Sequence, residues 1–281
     1  MSGYARPGLV ASTEWLAERL DDPSIRIVDC DEWPAYQRLH IPGAVGWTVH
    51  HYLKDPRRSD YLMPPDVFAE TMAEHGIGDG HTVVAYDGSG GLYATRLWWS
   101  LDYYGHPDCR VLDGGFNKWV AGGQPVTRER PEVKRARFTV RRGSDSLCTR
   151  EDVQSAIDDE GTVIWDVRSP EEHTGENPRA NRHGGHIPGA VNLEWLDMTT
   201  RGDAPELLPA GEMRRRLQSI GVTPDKRVFT HCQAGIRASH AAFVLRLLGF
   251  ERAKNYDASW NEWGNRDDTP IVQEPGTEQP M

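Results

Sequence analysis

One cysteine sits where a short apolar run, Arg227 to His231, gives way to an amphipathic one, in the stretch His231-Cys232-Gln233-Ala234-Gly235-Ile236-Arg237-Ala238-Ser239-His240. A strand that turns directly into a helix leaves the first N–H groups of the helix unpaired, and their partial positive charge favours thiolate over thiol and attracts anions. Gly235 permits the backbone to curl, and Arg237 closes the loop with a permanent cation and a planar donor fork. The pattern suits a nucleophile in an anion cradle whose amides come from Gln233, Ala234, Gly235, Ile236 and Arg237. Taken alone, the spacing serves a small buried hydrophobe equally well, since that is what a cysteine at a strand end commonly is. The nucleophile reading also requires the sulfur to border a hollow that solvent reaches.

The elements needed to hold such a loop occur twice. Ser24 to Asp29 and His81 to Asp87 read as buried strands. Ser12 or Thr13 caps a helix through Leu16 and Leu20, and Asp66 to Glu74 and Leu92 to Tyr104 have helical patterning. The order then recurs, with Thr149 capping a helix, Thr162 to Val167 and Lys226 to His231 as strands, and Met213 to Ile220 as a helix. His186-Ile187-Pro188-Gly189-Ala190-Val191 repeats His40-Ile41-Pro42-Gly43-Ala44-Val45 letter for letter, and Trp260 to Trp263 stands where Gly115 to Trp119 stood. A shift of about 145 residues is too long for a solenoid unit and describes a duplicated domain. Strands alternating with helices imply α/β architecture, each copy a small parallel sheet flanked by helices on both faces. The expected domains are residues 1–126 and 147–272, with 127–146 as a linker over the surface and 273–281 as a disordered tail.

Composition narrows the function classes. The 281 residues suffice for two modest cores, and a net charge of −10 disfavours nucleic acid as a partner. The one basic stretch, from Arg128 to Arg142, carries no aromatic interleaving and reads as a solvated connection. No run is apolar enough for a membrane span and Met1 to Val10 lacks the layout of a secretory signal, so a cytoplasmic protein is expected. Cys30, Cys109, Cys148 and Cys232 show neither paired spacing nor a zinc pattern, so free thiols and no metal are expected.

The loop Cys-x-x-Gly-x-Arg-x-Ser at 232–239, the paired Ile-Pro-Gly-Ala-Val turns, the run Asp166-Val167-Arg168-Ser169-Pro170-Glu171-Glu172 and the Trp260 to Trp263 segment together resemble the tandem rhodaneses, over nearly the whole chain. The related Cys-dependent phosphatases, a class that also covers arsenate reductase, space Cys and Arg one residue further apart. Only Gln233 to Ile236 intervene here, and a tighter ring suits one sulfur atom better than a phosphoryl group. The resemblance implies two rhodanese-like domains and a thiosulfate sulfurtransferase that carries sulfane sulfur as a Cys232 persulfide to cyanide or a thiol acceptor. It implies no cofactor. Asp87 occupies the position of Cys232 in the first domain and cannot hold a transferable sulfur, so that domain is expected to be catalytically silent.

Further expectations attach to single residues. Arg237 is expected to grip the sulfonate end of the donor in preference to bonding loop carbonyls. Arg179 and Arg182 fall near the family's substrate-binding arginines, although Glu172 or His173 stands where an arginine would be expected. Asp166 and Arg168 are expected to pair beneath the site, His231 to pack away from it, and His40 to hold its turn, with a smaller claim to assisting catalysis as in mercaptopyruvate-cleaving relatives. The alternative donor is 3-mercaptopyruvate, whose enzymes carry Gly and Ser after the cysteine. The remaining alternative is a sulfur-carrying or binding module without turnover. A duplicated chain that builds its own domain pair is expected to be a monomer.

Overall fold

The computed structural model describes residues 3–47, 52–58, 60–141 and 143–273. The expected tail beyond Gln273, and Arg142 of the basic stretch, fall outside these. The chain forms two compact units, Met1–Asp145 together with Thr199–Pro209, and Ser146–Met198 together with Ala210–Met281.

In the first unit, strands β1 (Val10–Ala11), β2 (Ile25–Asp29), β3 (Val45–Gly46), β4 (Thr82–Tyr86) and β5 (Cys109–Leu112) form one sheet in the order β1-β5-β4-β2-β3, with every pairing parallel. Helices α1 (Thr13–Ala17), α2 (Trp33–Arg38), α3 (Pro65–Glu74), α4 (Leu92–Tyr103) and α5 (Gly115–Ala121) connect them. The second unit has β6 (Leu147–Cys148), β7 (Thr162–Asp166), β8 (Val191–Asn192), β9 (Arg227–His231) and β10 (Ala253–Tyr256) in the order β6-β10-β9-β7-β8, again parallel. Its helices are α6 (Arg150–Ala156), α7 (Pro170–Thr174), α8 (Ala210–Ser219), α9 (Ile236–Leu247) and α10 (Ser259–Trp263). The two sheets have one topology, as the repeat requires.

Local chemistry accounts for the element ends. Ser12 accepts from the Trp15 N–H to start α1, and Thr149 with Asp152, and Ser169 with Glu172, form capping boxes at α6 and α7. The central strands are buried because a parallel sheet covered by helices leaves neither face to water. Helix α1 stops at Ala17, short of the expected Leu20. Short α2, with proline in its first turn, and the two-residue β1 were not apparent from periodicity, because so few residues define no period.

The basic stretch is more than a connection over the surface. Thr127 bridges His40, the Ala136 N–H donates to the Ala73 carbonyl, and Phe138 is buried against Phe68 and His106. Arg135 pairs with Glu70 and Arg141 with Asp79, so two of its charges are matched within the first unit. Thr199–Pro209, expected in the second domain, belongs instead to the first unit. Leu207 N–H donates to Asp113, Tyr4 O–H to the Leu208 carbonyl, and Lys118 pairs with Glu206. Among the described residues no helix is long and apolar enough to cross a membrane.

Two histidines of the second unit give it a pH signature. Burial pushes His231 and His240 each down to about 4, against 6.5 ordinarily. Between those values the unfolded chain binds the proton and the folded one does not, so this contribution to stability is complete above pH 6.5 and is lost as pH falls towards 4, by up to ~3 kcal/mol each. His240→Leu should therefore unfold at progressively higher urea than the wild type as pH is lowered from 7.5 to 5. A difference that does not vary with pH would contradict the assignment.

Candidate active site

Cys232 directly follows β9 and Ile236 begins α9, so the thiol stands at the carboxyl edge of the sheet, facing a helix start. Of the amides from Gln233 to Arg237, that of Gly235 donates to Cys232 Sγ at 3.1 Å. Gly235 has φ +78°, and a Cβ there would collide with the carbonyl and carboxylate oxygens of Asp257. Gly235→Ala is accordingly expected to cost about 2–4 kcal/mol, from left-handed strain and forced displacement together. Thermal unfolding would show it, and an unchanged midpoint would mean that the loop is not held in this form.

The loop is anchored from behind. Cys232 N–H donates to Ser259 Oγ at 3.0 Å, Trp260 N–H donates to the Cys232 carbonyl at 3.0 Å, and Asn261 N–H to the Gln233 carbonyl at 2.8 Å. Asn255 Nδ2 and Ser239 Oγ both donate to the Gly235 carbonyl. These bonds draw Cys232 inward until the residue is 1 % exposed, in contrast to the open hollow the sequence reading requires, whereas Gln233, Ala234 and Arg237 stay partly exposed. The accessible face of the loop is therefore the one these three present.

Arg237 neither bonds loop carbonyls nor extends a free fork. Its Nη1 and Nη2 donate to Glu172 Oε2 and Oε1 at 2.6 and 2.9 Å, and Arg179 Nε reaches Oε1 at 2.7 Å. Glu172 is 2 % exposed. Burial alone would raise its carboxyl, but Arg237 and Arg179 outweigh this and hold it below the ordinary range. Two guanidiniums on one carboxylate give the clamp one surplus positive charge. Arg182 is exposed and paired with Asp267 at 2.8 Å, and its backbone N–H donates to Asn265 Oδ1. Thus Gln233, Ala234, Gly235, Ile236, Arg237 and Arg179 are brought together around Cys232 or the Glu172 clamp, and Arg182 has no contact with Glu172.

Several contributors had no sequence signal of their own. Asn181 and Gln233 exchange side-chain hydrogen bonds at 2.8 and 3.1 Å, tying the segment that carries Arg179 to the loop. Ser259 adopts φ +53° as it meets the Cys232 amide. Beneath the loop Asp166 takes a bidentate contact from Arg168 and a bond from His173 Nδ1 at 2.9 Å, as the expected pair requires. His231 is buried, with neither ring nitrogen hydrogen-bonded. His40 in the first unit faces the carbonyls of Tyr36 and Glu129 with its two nitrogens, which leaves neither for a substrate.

The corresponding loop of the first unit is occupied by its own side chain. The Asp87 carboxylate accepts from the N–H groups of Ser89, Gly91, Tyr93 and Ala94 at 2.7–2.9 Å. The same loop shape thus gathers amides around an anion. Among the described residues no group of three or more His, Cys, Asp or Glu side chains could hold a metal ion.

The Rhodanese-like domain profile matches residues 12–122 and 149–266. A Thermus thermophilus protein named "Sulfur carrier protein TtuD" is 37% identical over 96% of this chain and 99% of its own. A Pseudomonas aeruginosa protein named "Thiosulfate sulfurtransferase" is 36% identical over 96% and 99%. Among solved structures, an anaerobic ergothioneine biosynthesis enzyme from Chlorobium limicola superposes with a TM-score of 0.85 at 23% identity, over 96% of this chain and 71% of that one, a likeness of fold.

Proposed function

The chain belongs to the rhodanese family, with two rhodanese-like domains in tandem, and from that premise we propose that it is a sulfurtransferase acting through a Cys232 persulfide. The observation that carries the reading is the Gly235 amide directed at Cys232 Sγ at 3.1 Å, beside a clamp with one surplus positive charge. Relatives named for thiosulfate support that donor. The Cys232 thiolate attacks the outer sulfur of thiosulfate. A sulfur–sulfur bond forms to Cys232, the bond to the sulfonate sulfur breaks, and sulfite leaves with the electron pair. Cyanide or a thiolate then takes the outer sulfur, and the Cys232 thiolate is restored.

Amides of the loop stabilise charge on the persulfide and on the departing sulfite. Arg237 and Arg179 act as a pair through Glu172: the clamp keeps both cations at the loop, and an incoming sulfonate competes with Glu172 for their forks. Gln233, Ala234 and Ile236 supply the remaining wall. Asp87 makes the first domain silent in transfer. The catalytic domain spans 147–272 apart from Thr199–Pro209, which packs in the first unit. The protein works as a cytoplasmic monomer without a cofactor. The name borne by the Thermus relative fits the same persulfide being passed to a further acceptor.

Thiocyanate formation from cyanide tests the donor. Thiosulfate should outpace 3-mercaptopyruvate, and an aryl phosphate should release no phosphate. A strong preference for mercaptopyruvate, or phosphate release, would overturn the assignment.

A further inference from the structure

The first unit has a cavity of about 700 Å³ at the carboxyl edge of its sheet, walled by Asp29, Asp31, Ala35, Leu39, Tyr93 and Phe116 among others. The second unit shows what fills the equivalent space there. Strand register matches Asp29 with Asp166, since Asp29 pairs across to Tyr86 as Asp166 does to His231. The Cys30 N–H bonds the Tyr86 carbonyl as Val167 bonds His231, so Asp31 matches Arg168. Phe116 N–H donates to the Asp87 carbonyl as Trp260 N–H does to that of Cys232, so Phe116 matches Trp260. Tyr36 stacks on His40 and accepts its Nδ1 contact as His173 does for His186, which matches Ala35 with Glu172 and Leu39 with Gly185.

In the second unit the Arg168 guanidinium lies in that space. It forks onto Asp166, donates to the Gly185 carbonyl at 2.8 Å and sits 4.3 Å from the Trp260 ring centre. The first unit keeps the carboxylate, whose Oδ2 accepts from Tyr86 O–H at 2.7 Å, and the aromatic wall, but has Leu39 where Gly185 stood, a second carboxylate, Asp31, in place of the cation, and Ala35 in place of the bulky Glu172. It thus retains a receptor for a guanidinium and lacks the guanidinium.

We propose that this cavity binds a small guanidinium-bearing molecule of the size of a free basic amino acid, its planar cation lodged between Asp29, Asp31 and Phe116. Arg38 and Arg128, exposed on the cavity's rim, provide a place for a carboxylate at the other end. Burial and the neighbouring carboxylates push Asp29 up to about 6 and Asp31 up to about 7, the condition of acids that lack a counter-ion. The groups facing them are Tyr86 from β4 and Asp87 just after it, Tyr36 from α2 and Glu32 at its cap, His40 from the turn, and the two rim arginines. A cation favours the ionised pair, so affinity should rise with pH through that range.

Calorimetric titration of the full chain with L-arginine at pH 8 should show saturable one-site binding, with L-lysine and methylguanidinium weaker. Affinity should fall by about tenfold or more at pH 5 and in Asp31→Asn, which loses a charge-assisted contact but keeps an oxygen for the Gly88 N–H. Asp31→Arg, which restores the residue type of the second unit, should abolish binding and raise the unfolding temperature. No saturable heat with wild type at millimolar L-arginine, equal binding by Asp31→Asn, or equal affinity for Mg²⁺ would overturn the proposal. None of these readouts depends on sulfur transfer.

Discussion

Serine in place of Cys232 is expected to leave a protein whose intact mass does not change on mixing with thiosulfate, whereas the wild type gains one sulfur atom. Turnover to thiocyanate should fall by about a thousandfold or more, because the covalent route is lost and the residual binding elements cannot form a persulfide. The variant should fold normally: Cys232 N–H and carbonyl bond Ser259 and Trp260 through the backbone, and serine fits the volume. Sulfur gained by Cys232→Ser would move the site to Cys30, Cys109 or Cys148. All three are buried, and burial pushes the first two thiols well above their usual range. Wild type that gains no sulfur would instead show that the 1 % exposure of Cys232 persists in solution and that no donor enters.

Removing the Glu172 side chain is expected to produce the largest loss of stability. Glu172→Ala leaves the mostly buried Arg237 without its partner, and breaking one side of such a pair costs ~3–5 kcal/mol, to which the half-exposed Arg179 adds little. It also removes the side-chain half of the capping box with Ser169 at the start of α7. Glu172→Gln keeps an oxygen for one arginine and should lose less. If Arg237 is positioned by Glu172, both variants should lower kcat for thiosulfate, and the glutamine should recover part of it. Urea unfolding together with steady-state kinetics separates the two effects. A Glu172→Ala protein as stable and as active as wild type would mean that the clamp does not exist in solution.

The Cys232 loop was legible because its geometry is local. A cysteine, a glycine and an arginine within six residues at a strand-to-helix join carry their own meaning, and the left-handed conformation of Gly235 follows from the turn they make. The duplication was equally plain, since identical Ile-Pro-Gly-Ala-Val turns recur in register with the strands, and two sheets of identical strand order resulted. The loss of the cysteine from the first unit was readable from one substitution, Asp87, although not the four amides that saturate it.

What spacing could not convey are contacts between residues far apart in the chain. Arg237 is expected from the sequence to grip the donor, yet Glu172, 65 residues away, takes both of its arms. Arg179 and Arg182 are close neighbours in sequence, and the fold separates them, one onto Glu172 and the other onto Asp267. The burial of Cys232 has the same origin: the Ser259 hydroxyl and the Trp260 and Asn261 amides tie the loop to α10. Chain-local chemistry sets which atoms can react, because propensity and helix-end polarity act over a few residues. Which charges neutralise one another, and how much solvent reaches the sulfur, depend on distances that exist only after the sheet and helices have packed.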